Sequence, residues 1–213
     1  EYLTETLSET WAEFLRVANG SPYYRGKLQK RHAIMVSRAV ETGLPLIYLN
    51  MVGGQDDQVF DGGSFGLNPD GALRVQLPMM VEEITHVDLR CTNEGWRIEQ
   101  GGLAPIPGTM ELDYHAMVNA LRDYLKKSGF SKVLLGLSGG IDSAIVATIA
   151  TDAIGADNVR CVMLPSEYTS QSSLDDAASL AKTLGCRLDT VPIAAGRAAI
   201  TQTLAPLFEG SAP

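Results

Sequence analysis

The chain has 213 residues, 45% of them hydrophobic and 20% charged, with a net charge of −8. That length suits one or two globular domains, and the acidic balance argues against a broad nucleic-acid or anionic-membrane surface. No stretch approaches the roughly 18 apolar residues of a membrane span, and no signal peptide is recognisable.

In chain order, "EFLRVAN" (13–19) predicts a short strand and "GSPYYRGK" a loop. From Lys27 to Thr42, Leu28, His32, Met35, Val36, Ala39 and Val40 recur at helical spacing, and Gly43 is a fitting stop. His32 lies on that apolar stripe, where a packed, hydrogen-bonded histidine is expected rather than a ligand. The local basic cluster Arg25, Lys27, Lys30 and Arg31 is expected to be a solvated helix start. "PLIYLNMV" (45–52) is a buried-strand candidate. "FGL" and "ALRVQL" flank "NPDG", a turn signal with Pro69 at its first central position, so a hairpin is predicted. "EITHVDL" predicts a further strand. Residues 91–109 are mixed and rich in Gly and Pro, with the domain linker placed at 101–109.

Beyond the linker the pattern changes. A helix is predicted over 110–128 and ends at Gly129. Strand "KVLLGL" (132–137), a helix from Asp142 to Ile154, and strand "VRCVMLP" (159–165) follow. "SSLDDAASLAKTLG" predicts a helix whose Ser173 and Asp176 have capping-box spacing. "RLDTVPI" is a third strand and 196–208 a last helix. Alternation of this kind predicts a parallel sheet covered on both faces. The three cysteines, Cys91, Cys161 and Cys186, have neither CxxC spacing nor a disulfide framework, which favours a reducing, cytoplasmic compartment. The opening at Glu1 without a methionine and the close at "LFEGSAP" both suggest an internal piece.

The stretch with the most chemistry is "LLGLSGGIDSAIVATIA", residues 134–150. A strand that turns sharply into a helix presents free N–H groups and a partial positive charge, which suit a phosphate chain. Gly139 and Gly140 let the backbone approach a ligand with no Cβ in the way. Ser138 and Ser143 can donate hydroxyl hydrogen bonds to phosphate oxygens. Asp142 would repel bare phosphate and suits a helix cap or a partner of magnesium. The turn lacks the Lys-Ser/Thr ending of a Walker loop and does not match G-x-G-x-x-G. "GLSGG" does match the G-x-S-x-G nucleophile elbow, which would make Ser138 a hydrolase nucleophile. In that fold the histidine follows the serine, whereas His32, His86 and His115 all precede Ser138. A tight structural turn with no ligand is the remaining alternative.

"LSGGIDSA" resembles the S-G-G-x-D-S pyrophosphate loop of the ATP pyrophosphatase superfamily. "LPSEYTSQSSLDDA" (164–177) is similar to the segment after the second strand of NAD synthetases. "NGSPYYRGKLQKR" and "YLNMVGGQDDQVFDGGSFGLNPDG" resemble the C-terminal portion of a nitrilase-like glutaminase domain. Together they have the layout of the glutamine-dependent NAD synthetase family, and the resemblance covers nearly the whole chain. It implies an α/β fold: a partial nitrilase-like sandwich over 1–100, a linker over 101–109, and the N-terminal portion of a Rossmann-like synthetase sheet over 110–213.

The resemblance also implies an activity. ATP would adenylate the nicotinate carboxylate of deamido-NAD, and ammonia from glutamine would displace AMP, with magnesium as the metal and a homo-oligomeric full-length protein. Gly136, Leu137, Ser138, Gly139, Gly140, Ile141, Asp142 and Ser143 would hold ATP, with Leu164 near the adenine and Asp142 as the metal partner. Ser21 and Lys27 match the family's glutamine-binding positions, and Asp56 and Phe60 are weaker candidates beside them. The family's Glu–Lys–Cys glutaminase triad is not identifiable here. Its cysteine stands in a C-E-D-like stretch before the S-P-Y loop, with Glu1 as a candidate for the residue that follows it. Cys91, Cys161 and Cys186 lie elsewhere and are expected to be small packed hydrophobes. Another ATP pyrophosphatase, such as a tRNA-modifying enzyme, and a non-catalytic nucleotide-binding fragment remain as alternatives.

Overall fold

The computed structural model describes residues 11–208, together with Thr6 and Glu9; Glu1 lies outside the described residues. Two compact units are present, Glu1–Tyr124 and Leu125–Pro213.

In the first unit, β1 (Leu15–Asn19), β2 (Leu46–Asn50), β5 (Phe65–Leu67) and β6 (Leu73–Gln76) form one sheet in the order β1-β2-β5-β6. β1 and β2 are parallel, which requires a crossover. Helix α1 (Lys27–Thr42) supplies it over the predicted range. Gly43, at φ 66°, ends the helix by returning its N–H to Ala39 O at 3.0 Å. The apolar stripe holds except at the exposed Val40: Ala39 is in the core with Leu15, Leu46, Tyr48, Phe65 and Leu67, and Met35 and Val36 pack against it. Each fully buried leucine here contributes about 1.5–3 kcal/mol.

β3 (Val52–Gln55) and β4 (Gln58–Asp61) form a separate hairpin, which splits the predicted 45–52 strand at Met51. The "NPDG" hairpin joins β5 to β6, with Gly71 N–H bonded to Asn68 O at 2.8 Å.

"EITHVDL" does not form the predicted strand. Ile84 is 92% exposed, and regular structure resumes only at β7 (Leu89–Thr92), which pairs with β8 (Gly95–Ile98). Alternating residue types do not make a strand where no sheet edge receives them. The predicted linker is also partly structured, because Gln76 in β6 bonds to Gly102 O and Ala104 N–H at 2.9 Å each.

Helix α2 (Thr109–Lys127) crosses from one unit to the next. Its Leu112 and Ala116 pack with Leu28, Met79 and Met80 of the first unit. The division between the compact units falls inside this helix, at Tyr124/Leu125.

In the second unit, β9 (Val133–Gly136), β10 (Val159–Met163) and β11 (Arg187–Thr190) form a fully parallel sheet in the order β11-β10-β9. Helices α3 (Ile141–Ile154) and α4 (Gln171–Leu184) both contact β10. They bury Ala147, Ala150, Ala177 and Ala181, and Val159, Cys161 and Met163 of β10 are buried too. The other side of the sheet carries Leu134, 69% exposed, and the exposed Arg160, so among the described residues one face is covered rather than the expected two. The cap of α4 is Ser170, which accepts from Ser173 N–H at 3.2 Å, rather than the predicted Ser173. Helix α5 (Ala194–Leu204) starts two residues before the predicted range and passes into a 3₁₀ turn at Ala205–Leu207.

Candidate functional site

The glycine turn begins where β9 leaves the sheet. Leu137 is 2% exposed and its N–H bonds to Val162 O at 2.9 Å, so the strand direction is fixed up to Ser138. Gly139 then takes φ +83°, a conformation that L side chains rarely adopt. It also presses on the start of α4: a Cβ there would stand 2.2 Å from Ser173 O. Gly140 is the N-cap of α3 and has no side-chain cap.

The two serines hold the turn from within. Ser143 Oγ accepts from Ser138 N–H at 3.2 Å and donates to Gly140 O at 3.0 Å. Ser138 Oγ accepts from Gly140 N–H at 3.3 Å and lies 3.0 Å from Ser143 Oγ. Asp142 lies in the first turn of α3, exposed, and does not cap it, which removes the helix-cap role considered for it. No group of three or more His, Cys, Asp or Glu suited to a metal is present among the described residues. A magnesium ion beside Asp142 would therefore draw its other ligands from phosphate oxygens and water, as magnesium commonly does.

A cavity of about 250 Å³ opens at the C-terminal ends of β9 and β10. Gly136, Leu137, Ser138 and Leu164 line it, together with Thr169 and Leu174. Gly139, Gly140, Ile141, Asp142 and Ser143 are not on its lining and continue from it along the turn into α3. The nucleophile-elbow reading gains nothing here: the unit that carries Ser138 contains no histidine.

The first unit has a second cavity, of about 190 Å³, lined by Ser21, Lys27, Lys30, Arg31, Asn19 and Tyr48 among others. Ser21 and Lys27 are thus brought together. Asp56, at φ 52° in the exposed β3–β4 turn, and the buried Phe60 are not on this lining.

Of the basic cluster, Arg25 and Lys30 are exposed as a solvated helix start would be, and Arg31 departs from that expectation. Arg31 is buried and paired with the fully buried Asp61 through Nη1–Oδ2 at 3.0 Å and Nη2–Oδ1 at 2.7 Å. Arg25 bonds Asp113 of α2 at 2.6 Å, and Lys27 Nζ sits 4.5 Å above the Tyr24 ring. Arg31, Asp61 and Asn50 are missed by sequence reasoning, although Asn50 and Asp61 both fall within the quoted "LNMVGGQDDQVFDGG". Thr169 and Leu174 fall within the 164–177 segment. His32 packs edge-on against Phe65 at 4.3 Å, and burial lowers its pKa while Gln76 acts the other way. Its buried Nε2 has no partner at hydrogen-bond geometry, although Gln76 lies close enough to act on its titration.

Tyr23, in the Ser21–Lys27 loop, donates to Asp113 Oδ1 at 2.7 Å. Burial first, then Asp113, pushes its phenol up to about 12, while Arg25 and Tyr23 hold the Asp113 carboxyl below its ordinary value. The raised phenol stabilises the folded loop fully below its unfolded value near 10, and the contribution is lost as pH rises through about 12. The lowered carboxylate acts oppositely: its contribution is present above the unfolded value and lost as pH falls through the folded one. D113N is expected to bring the Tyr23 titration back toward 10, as read by phenolate absorbance.

Among the cysteines, Cys91 is exposed while Cys161 and Cys186 are buried, and burial raises the Cys161 thiol. The expectation of packed hydrophobes fits the latter two and not Cys91. A disulfide-exchange reagent should titrate one thiol in the folded chain and the other two only on unfolding.

Residues 113–210 match the NAD synthase family. Over 207 residues the chain is 61% identical to the glutamine-dependent NAD(+) synthetase of Rhodobacter capsulatus, covering 97% of this chain and 38% of that protein. The chain is homologous to part of the glutamine-dependent NAD(+) synthetases. It is 43% identical to the synthetase of Acinetobacter baylyi over the same shares. The solved glutamine-dependent NAD+ synthetase of Acinetobacter baumannii, in complex with ADP, superposes with a TM-score of 0.92 at 39% identity. That match covers 100% of this chain and 40% of the solved one. The chain therefore spans about two fifths of the length of these synthetases.

Proposed function

We propose that this chain belongs to an enzyme that amidates deamido-NAD to NAD, using ATP and ammonia derived from glutamine. The observation that carries it is the cavity beside the glycine turn, at the C-terminal ends of parallel strands, where open α/β sheets bind ligands. The nicotinate carboxylate oxygen attacks the α-phosphorus of ATP, pyrophosphate leaves, and ammonia displaces AMP from the adenylate. The turn from Gly136 to Ser143 holds the phosphates, with the positive end of α3 and the backbone N–H groups that the turn does not itself use. Leu164, 53% exposed at the cavity wall, contacts the adenine. Magnesium, when bound, neutralises the departing pyrophosphate, and Asp142 is the carboxylate that would hold it.

In the first unit, Ser21 and Lys27 form a wall of the glutamine site, with a hydroxyl and an ammonium suited to carboxylate or amide oxygens. Cys161 and Cys186, buried in the second unit, and Cys91, on the β7–β8 hairpin, are not its nucleophile. Residues 1–100 are the C-terminal portion of a nitrilase-like glutaminase domain, 101–109 its linker, and 110–213 the N-terminal portion of the synthetase domain. We place the protein in the cytoplasm as a homo-oligomer. No helix among the described residues is long and apolar enough to cross a membrane.

The test is pyrophosphate release by the full protein with ATP, deamido-NAD and ammonium. Release that requires deamido-NAD supports the proposal. ATP binding without release would leave only a nucleotide-binding role. Release that requires a different acceptor would point to another ATP pyrophosphatase.

A further inference from the structure

Four elements of the first unit converge on one small residue. Ser21 lies between β1 and α1, Asn50 ends β2, Asp61 ends β4, and Arg31 is in the second turn of α1. Asn50 grips the Ser21 backbone from both sides, accepting from its N–H at 2.9 Å and donating to its carbonyl at 3.2 Å. Arg31 Nη2 donates to the same carbonyl at 2.8 Å, and Arg31 Nε donates to Ser21 Oγ at 3.3 Å. The guanidinium cannot turn away, because both oxygens of Asp61 hold it, and Asn50 Nδ2 also donates to Asp61 Oδ1 at 3.0 Å. Arg31 is 4% exposed and Asp61 0%, so water does not compete for these bonds.

Such a network is an expensive way to hold one loop residue. Burying an arginine–carboxylate pair carries a large desolvation penalty for each ion, and an apolar pair of similar volume often stabilises a fold as well. What an apolar pair cannot do is orient a hydroxyl. Ser21 N–H, its carbonyl and one lone pair of Oγ are all taken by the protein. Its hydroxyl proton is committed to no protein acceptor among the described residues.

We infer that Arg31 and Asn50 are positioning residues that fix Ser21 as a hydrogen-bond donor toward an acceptor oxygen of the ligand in this cavity. This rests on the proposal that Ser21 and Lys27 face glutamine. The acceptor is a carboxylate or carbonyl oxygen of the substrate, and Lys27 and Lys30 on the same lining add positive charge beside it.

The experiment compares glutamine-driven with ammonium-driven NAD formation by the full protein for S21A, R31K, N50A and the double variant S21A/R31K. Lysine keeps the charge at position 31 but loses the fork that reaches both Asp61 and Ser21. R31K and N50A should each raise the KM for glutamine by about tenfold and lower Tm, while leaving ammonium-driven turnover close to the parent. R31K should add little to S21A, because it acts through the hydroxyl that S21A removes. An unchanged KM in S21A would overturn the glutamine-wall proposal and this inference with it. A raised KM in S21A with no change in R31K and N50A would overturn only the inference. Additive effects in the double variant would do the same, by making Arg31 act independently of Ser21. Loss of both activities in R31K and N50A alike would assign the network to folding and also overturn it.

Discussion

G139A is expected to lower ATP affinity by more than about tenfold, whereas G140A should leave the fold untouched. An L residue held at the φ of +83° found at Gly139 costs about 1–2 kcal/mol. The added methyl meets Ser173 O at 2.2 Å, and the obstacle is backbone at the first turn of α4, not a side chain that can swing aside. Overpacking of this kind typically costs a further 1–3 kcal/mol, roughly. The turn must open or α4 must shift, and either movement disturbs the cavity wall at Leu174 and Ser138. Gly140 differs: φ is −84°, and the nearest atom to a Cβ is Ser138 Oγ at 3.4 Å, an ordinary contact. If phosphate approaches the backbone there, G140A weakens ATP binding with Tm unchanged. Calorimetric titration with ATP beside thermal unfolding separates the two. Full ATP affinity in G139A would remove the phosphate-cradle role from this turn.

D61A is expected to be the most destabilising single change in the first unit. It leaves the Arg31 guanidinium buried with no carboxylate, a situation that costs about 3–5 kcal/mol. At roughly 2–8 °C per kcal/mol, the melting transition of this unit should fall by about 6 °C or more. The double replacement R31M/D61L should restore most of that loss, because the charge is gone from both sides. It should not restore glutamine use, because the contacts from Arg31 to Ser21 go with it. Circular dichroism during heating checks the first statement, and glutamine-driven NAD formation the second. A D61A protein that melts with the parent would mean that water reaches Arg31 in solution.

Both variants act where residues far apart in the chain meet. The sequence by itself was enough for features whose cause is local. The apolar repeat from Leu28 to Ala39 and the stop at Gly43 placed α1 at Lys27–Thr42. The "NPDG" turn placed the β5–β6 hairpin, and the run "LLGLSGGIDSA" placed a strand, a turn and a helix in the right order. Gly136, Leu137, Ser138 and Leu164 line one cavity because β9 and β10 pair in parallel and end at the same edge, a neighbourhood that the alternation of strands and helices made legible.

Only the tertiary structure decided the rest. Arg31 looks like one more solvated lysine or arginine in "RGKLQKRH" until Asp61, 30 residues on, is seen against it. Gly139 reads as a ligand-facing glycine, but Ser173 is what forbids a side chain there. "EITHVDL" alternates like a strand and is none, while the Gly-rich stretch after it holds the β7–β8 hairpin. Backbone turns and helical stripes are set by energies between near neighbours, which composition and spacing record. Charge burial, close backbone approach and strand pairing are set by which distant surface arrives alongside, and no local pattern encodes that.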